Sequence, residues 1–137
     1  MREYKFRVYD KRLKQYVKSA EGFHILGEVM AFGIIDEYLA ENMDGEYSSL
    51  HRWNDMQLEQ WTGLVDKYGK DIYENDILRC KMYTNDRNIV RYEDYHVVWD
   101  ETYATYEAKN KKDDNFVCAS IWNKQNVIGN IHEMELL

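Results

Sequence analysis

The amino-acid sequence reads as a mainly β protein with a minor α component, a small barrel or strongly curved sheet joined to an N-terminal hairpin and one helix. Three observations point there. Apolar and polar residues alternate with period two in several separated runs, beginning with Tyr4 to Tyr9. Clusters of turn formers interrupt the second half of the chain about every dozen residues, the spacing of a small all-β fold. Aromatic residues make up 15% of the chain, with 12 Tyr and 4 Trp, and these side chains suit a pleated, half-buried surface.

Taken in order, Tyr4, Phe6 and Val8 face one way and Lys5, Arg7 and Tyr9 the other, so the chain opens on a half-buried strand. Asp10-Lys11-Arg12-Leu13-Lys14 is a polar turn, and Gln15-Tyr16-Val17 reads as the return strand of a hairpin with a basic outer face. Phe23 to Leu26 suits another short strand. The period then changes. Met30, Ile34 and Tyr38 recur at four-residue spacing with Leu26, Ile35 and Leu39 beside them, which predicts a helix over Glu28 to Asn42. Residues 43 to 55 form a polar connection anchored by Leu50 and Trp53.

Beyond Met56 the pattern is strand after strand. Met56 to Trp61 alternates, and Thr62 to Leu78 (TGLVDKYGKDIYENDIL) packs two turn signals between strand starts. Gly69 supplies the positive φ that a tight hairpin turn demands, and Asn75 tolerates it better than most side chains. Ile77 to Tyr83 ends at a polar cluster over residues 84 to 88. Ile89 to Trp99 follows, with a break expected at Glu93-Asp94, then Thr102 to Ala108. Phe116 to Trp122 carries apolar residues on both alternating faces (Phe116, Cys118 and Trp122 against Val117, Ala119 and Ile121), which predicts a central strand covered on two faces, and Val127 to Ile131 closes the sheet.

The stretch TGLVDKYGKDIYENDIL, the opening EYKFRVYD and the closing VIGNIHEMELL resemble the YopX family, small proteins found largely in bacteriophages and prophages of Gram-positive bacteria. The likeness leaves Ser19 to Gln57 and Glu101 to Phe116 unmatched. Asn75 departs from the family's usual glycine, a change that keeps a similar backbone demand. The resemblance implies a Src-homology-3-like β-barrel in a phage-encoded protein, and it brings no catalytic residue with it. The expected organisation is a single YopX-like domain, with the hairpin and helix in residues 1 to 56 and the barrel core in 57 to 137.

Chemistry is harder to find. His24, His51, His96 and His132 are scattered, without the short His or Cys spacings of a zinc site. There is no phosphate-cradling glycine loop and no nucleophile elbow. Cys80 and Cys118 both fall in expected strands and read as buried thiols of a reducing, cytoplasmic compartment. The acids Glu93-Asp94 and Asp100-Glu101 read as solvated hairpin ends in preference to a cation site. No run is long enough for a membrane helix. The expectation is therefore a protein that is not an enzyme and needs no cofactor or metal.

Two surfaces stand out as candidates. The net charge is −7, but residues 1 to 20 carry +5, leaving −12 for the rest. Lys5, Arg7, Lys11, Arg12 and Lys14 would meet phosphates if the hairpin bound nucleic acid, a reading the overall charge disfavours. Tyr92, Tyr95 and Tyr103, with Trp99 and Tyr106, interleave with acidic residues and suit a protein partner instead. The leading expectation is a binding or assembly module, a homo-oligomer or a partner of a host or phage protein. Opposite charges on separate surfaces suggest head-to-tail association with the hairpin of residues 4 to 17 at or near the contact.

Overall fold

A computed structural model of the 137-residue chain describes residues 5–17, 25–26, 35, 37–42, 52–83, 90–110, 112 and 116–134. The chain forms two compact units, Met1–Trp61 and Thr62–Leu137. The strand β4 (Met56–Val65) passes through the boundary. The division expected from the sequence, between residues 56 and 57, falls at the start of that strand.

In the first unit, β1 (Lys5–Asp10) sits at the centre. One edge pairs antiparallel with β4, placing Val8 opposite Leu58 and Arg7 opposite Glu59. Its other edge is shared. The end of β1 pairs with β2 (Gln15–Tyr16) and its start with β3 (Ile25–Leu26). The hairpin expected from residues 4 to 17 is present, turned through Lys14 at φ 55°. Ile35 and residues 37–41 are helical, as the four-residue spacing requires, and we label this helix α1. Its Ile35, Tyr38 and Leu39 pack on Val8 and Val17, with Trp53, Met56 and Leu58 beside them. Met30 and Ile34 lie outside the described residues.

The second unit begins with the end of β4 returning as β5 (Asp71–Tyr73). A curled five-stranded sheet follows, in the order β10-β6-β7-β8-β9. Its members are β6 (Asp76–Tyr83), β7 (Val90–Asp100), β8 (Thr105–Lys109), β9 (Phe116–Val117) and β10 (Asn126–Asn130). Leu78, Cys80, Tyr95, Val97, Ala108, Val117, Trp122 and Val127 form its core with Ile72. The protein is thus mainly β and barrel-like, as the alternation and turn spacing predict.

Two expectations fail here. β7 runs unbroken through Glu93-Asp94, because each acid has a cation within reach. Arg79, directly across the ladder, donates to both oxygens of Asp94 at 2.9 and 3.1 Å. Arg91, on the same strand, lies 2.9 Å from Glu93. The second failure is Phe116 to Trp122, which is not a strand. β9 stops at Val117, and Ala119–Lys124 is a 3₁₀ helix. Only Val117 and Trp122 of the run's large side chains are buried, while Phe116 and Ile121 are exposed. The helical turn swings the Trp122 indole inward, where its Nε1–H donates to the Val117 carbonyl at 3.0 Å. A period-two reading could not see this, since the buried pair is five residues apart.

The turn at Asp66–Lys70 yields a clean test of backbone demand. Gly69 has φ 81°, and a Cβ placed there would meet nothing within 4 Å. Gly69→Val should therefore cost roughly 1–3 kcal/mol through backbone strain alone. Gly69→Asn should stay close to wild type, since Asn75 already holds φ 71° in the same unit. Urea unfolding midpoints compare the two variants, and equal midpoints would show that conformation is not the cause.

Candidate functional site

The basic hairpin is already heavily occupied. Arg7 Nε donates to Glu59 Oε1 at 2.7 Å across the β1–β4 ladder, and Glu59 is fully buried. The Tyr16 hydroxyl donates to the same oxygen at 2.9 Å, and the Arg7 guanidinium lies 4.8 Å from the centre of the Tyr16 ring. Lys5 stands over Trp61, 4.3 Å from its centroid. Arg12 is half-buried, whereas Lys11 and Lys14 are exposed on the turn. So the structure separates the five candidates: Lys5 and Arg7 serve their own sheet, and the turn lysines face solvent.

On the opposite face of β1 lies a buried polar centre that the sequence did not reveal. Asp10 and Arg52 are both fully buried, with Arg52 Nη2 donating to Asp10 Oδ2 at 2.7 Å and Nη1 to Oδ1 at 3.2 Å. The Tyr38 hydroxyl donates to Asp10 Oδ2 at 2.6 Å and accepts from Gln15 Nε2 at 2.9 Å. Arg52 Nη1 also donates to Asp55 at 2.6 Å. The Arg12 and Leu13 amides donate to Asp10 Oδ1, so the same carboxylate closes the β1–β2 turn. Burial by itself would raise the Asp10 pKa, but the bonds from Arg52, Tyr38 and Leu13 win and hold it below the usual range. Pairing with Asp10 binds the Arg52 proton more tightly than in a free guanidinium, despite burial. Burial, reinforced by the Asp10 charge, pushes Tyr38 up to about 12. The partners are 42 and 28 residues from Asp10, so only the polar turn at Asp10 was visible beforehand.

Four residues of TGLVDKYGKDIYENDIL, Thr62, Asp66, Asn75 and Asp76, are structural fasteners. Buried Asp66 accepts from the Tyr68 and Lys70 amides through Oδ1, both at 2.9 Å. Its Oδ2 accepts from Val127 of β10 at 3.0 Å. Thr62 Oγ1 donates to the Ile72 carbonyl at 2.7 Å. Asp76 accepts the Tyr73 amide at 2.8 Å. Asn75 gives its amide to Val97 and accepts from Ile131, and its Oδ1 lies 2.9 Å from His96 Nε2. This turn thereby joins β7 to the end of β10.

The aromatic and acidic set divides. Tyr95 is buried, at 1% exposure, with its hydroxyl donating to Glu93 at 3.0 Å, so it does not belong to any open surface. Tyr92 is exposed, opposite Lys81 at the other end of β7. Trp99 and Tyr106 meet across the β7–β8 ladder, edge to face with centroids 4.9 Å apart. Tyr103 stands on the turn of residues 101–104 between these strands and is 75% exposed. Among the described residues no group of His, Cys, Asp and Glu is arranged to hold a metal ion. His24 and His51 lie outside the described residues.

Of the two cysteines, Cys80 is a buried strand thiol as expected and Cys118 is not. Cys80 is buried, and burial, with the Asp94 and Glu93 charges, pushes its thiol up to about 12. Cys118 is exposed, because β9 ends at Val117 and the residue stands at the entry to the 3₁₀ helix.

Fold and sites together define a mainly β, barrel-like protein whose described polar centres tie strands and turns to one another. Protein EF1440 from Enterococcus faecalis shares this fold: its crystal structure aligns with a TM-score of 0.53 and 21% identity, over 95% of this chain and 94% of that one. The chain belongs to the YopX protein family, whose model matches residues 5–137. The match includes the two segments left unmatched by the motifs. No curated protein matches the chain. Among the described residues, no helix is long and apolar enough to cross a membrane.

Two outcomes follow from these centres. Asp10 titrates below its ordinary value in the folded chain, so its contribution is present above about pH 4 and is lost as pH falls through the folded value. Tyr38 titrates above its ordinary 10, so its contribution is complete below pH 10 and disappears as pH rises through about 12. Urea midpoints followed by circular dichroism should fall in both windows. Asp10→Asn should flatten the acid limb and Tyr38→Phe the alkaline limb. Arg52→Met, which strands Asp10, should cost about 3–5 kcal/mol at neutral pH. The cysteines give a second outcome: an aromatic disulfide reagent should modify one thiol per native chain, Cys118, and two in denaturant. Rapid modification of both in the native chain would contradict the burial of Cys80.

Proposed function

We propose that this YopX family member is a non-enzymatic accessory protein, encoded by a phage or prophage, that acts by binding another protein. The observation carrying this reading is the β7–β8 hairpin end. Trp99 is 45% exposed and Tyr103 is 75% exposed, and Asp100 and Glu101 lie between them in sequence. Tyrosine and tryptophan supply large contact area at small entropic cost and are enriched at the centres of protein interfaces. Acidic neighbours repel phosphate, so the same aromatics make a poor platform for a nucleic-acid strand. The basic hairpin offers nucleic acid less than its sequence promised, since Arg7 is committed to a buried Glu59 and Lys5 to Trp61.

A photo-crosslinking residue placed at Tyr103, in the chain produced in a Gram-positive host, tests the proposal. Protein adducts that persist at high salt and vanish with Trp99→Ser are the expected result. Absence of protein adducts, together with salt-sensitive oligonucleotide binding that is lost in Lys11→Glu/Lys14→Glu, would replace this reading with nucleic-acid recognition.

A further inference from the structure

The second unit carries two exposed hairpin ends of opposite character. At the β4–β5 end, Leu64, Val65 and Tyr68 are 36, 39 and 73% exposed, and Lys67 and Lys70 are exposed beside them. Leu64 and Val65 are consecutive strand residues and point to opposite faces of the ribbon. Both are open, so this end projects beyond what its own core covers. The bonds that hold the turn run from the amides of Tyr68 and Lys70 to Asp66, and they use the backbone of these residues and not their side chains. The Tyr68 ring is instead found 4.9 Å from the Lys67 ammonium. Asp66 is buried and its carboxylate accepts three amides, so the exposed charges on the turn, Lys67 and Lys70, are both positive.

The β7–β8 end is its complement, with Trp99 and Tyr103 exposed, Glu101 exposed and Asp100 half-buried. We propose that the β4–β5 end of one copy docks on the β7–β8 end of a second copy. Leu64, Val65 and Tyr68 would meet Trp99 and Tyr103, while Lys67 and Lys70 would meet Glu101, beside Asp100, whose Oδ1 accepts the Thr102 and Tyr103 amides of its own turn. This rests on the protein-binding reading above and names the partner as another chain of the same kind. The contact joins two different surfaces, so it is heterologous and closes into a ring where the rotation permits. Charge complementarity selects the pairing, and apolar area makes it durable, since exposed ion pairs alone contribute little. The β1–β2 turn is equally basic but offers only Leu13 as an exposed large apolar residue.

Light scattering during size exclusion decides the matter, with the full chain throughout. Wild type should run at twice 16.6 kDa or more. Lys67→Glu/Lys70→Glu and Tyr103→Ser should each fall to the mass of one chain, and Glu101→Lys should weaken association in the same direction. Mixing the first two variants should restore a species of two chains, because the charge-reversed copy keeps an intact aromatic end and the Tyr103→Ser copy an intact basic one. Lys11→Glu/Lys14→Glu should leave the mass unchanged, and circular dichroism confirms that each variant is folded. A wild-type mass of one chain at every concentration overturns the proposal. So does an oligomer lost only in Lys11→Glu/Lys14→Glu, or a mixture that stays monomeric. A monomeric wild type that still forms Trp99-dependent adducts with another protein would sink self-docking and leave the protein-binding reading intact. Loss of both removes both.

Discussion

A buried carboxylate cannot remain unanswered in a medium that solvates it poorly, and Asp66 shows what this requirement builds. Its two oxygens take the amides of Tyr68 and Lys70 in its own turn and of Val127 in a strand 61 residues away. One side chain thus sets the shape of the β4–β5 turn and ties it to β10. Asp10 does the same in the first unit, closing the β1–β2 turn through Oδ1 while Tyr38 takes Oδ2 and Arg52 bridges both oxygens. Asp76 repeats the device on a smaller scale with the Tyr73 amide. The chain has no proline to stiffen its turns. Buried aspartates at strand ends take over that task, and each needs the fold around it to stay folded.

The same requirement explains why so much ionisable chemistry is unavailable for reaction. Asp10, Glu59, Asp66 and Asp76 are buried and engaged, and Cys80 is held as a neutral thiol. The Arg52–Asp10 pair in particular is a poor source of net stability, since removing two charges from water cancels much of their attraction. Arg52 Nε has no partner among the described residues, which adds to that cost. What such a pair does supply is position. Replacing either partner alone leaves a charge stranded, so the helix carrying Tyr38, the β1–β2 turn and the segment at Arg52 are held to one arrangement.

Outside these fasteners, the turns project side chains that the cores do not use. Tyr68, Tyr103 and Leu13 all stand on turns, and Leu64, Val65 and Trp99 at strand ends beside them. A small curled sheet has little interior to offer at the tips of its hairpins, so apolar residues placed there face water or a partner. This geometry separates the structural part of TGLVDKYGKDIYENDIL from its exposed part. Asp66, Gly69, Asn75 and Asp76 make the turns and Thr62 ties β4 to β5, whereas Leu64, Val65 and Tyr68 are carried on them.

The sequence by itself determined the mainly β class, the first hairpin, the positive φ at Gly69 and Asn75 and the apolar stripe of Ile35, Tyr38 and Leu39. Each is a local property, written in residues a few positions apart, where period and turn chemistry act directly. Only the tertiary structure decided which polar residues would be buried together. Nothing near Arg52 announces Asp10, and nothing near Asp66 announces Val127, because those partners meet through folding across 42 and 61 residues. The misread stretch from Phe116 to Trp122 has the same cause. Alternation tells which residues are apolar but not which face a core, and there Val117 is buried by its pairing in β9 while Trp122 is turned inward by a helical turn whose hydrogen bonds the pattern did not encode. Tyr95 and Tyr103 look alike in the sequence, yet one fills the core and the other stands in water, since the position of the β7–β8 turn decides where the sheet's cover ends.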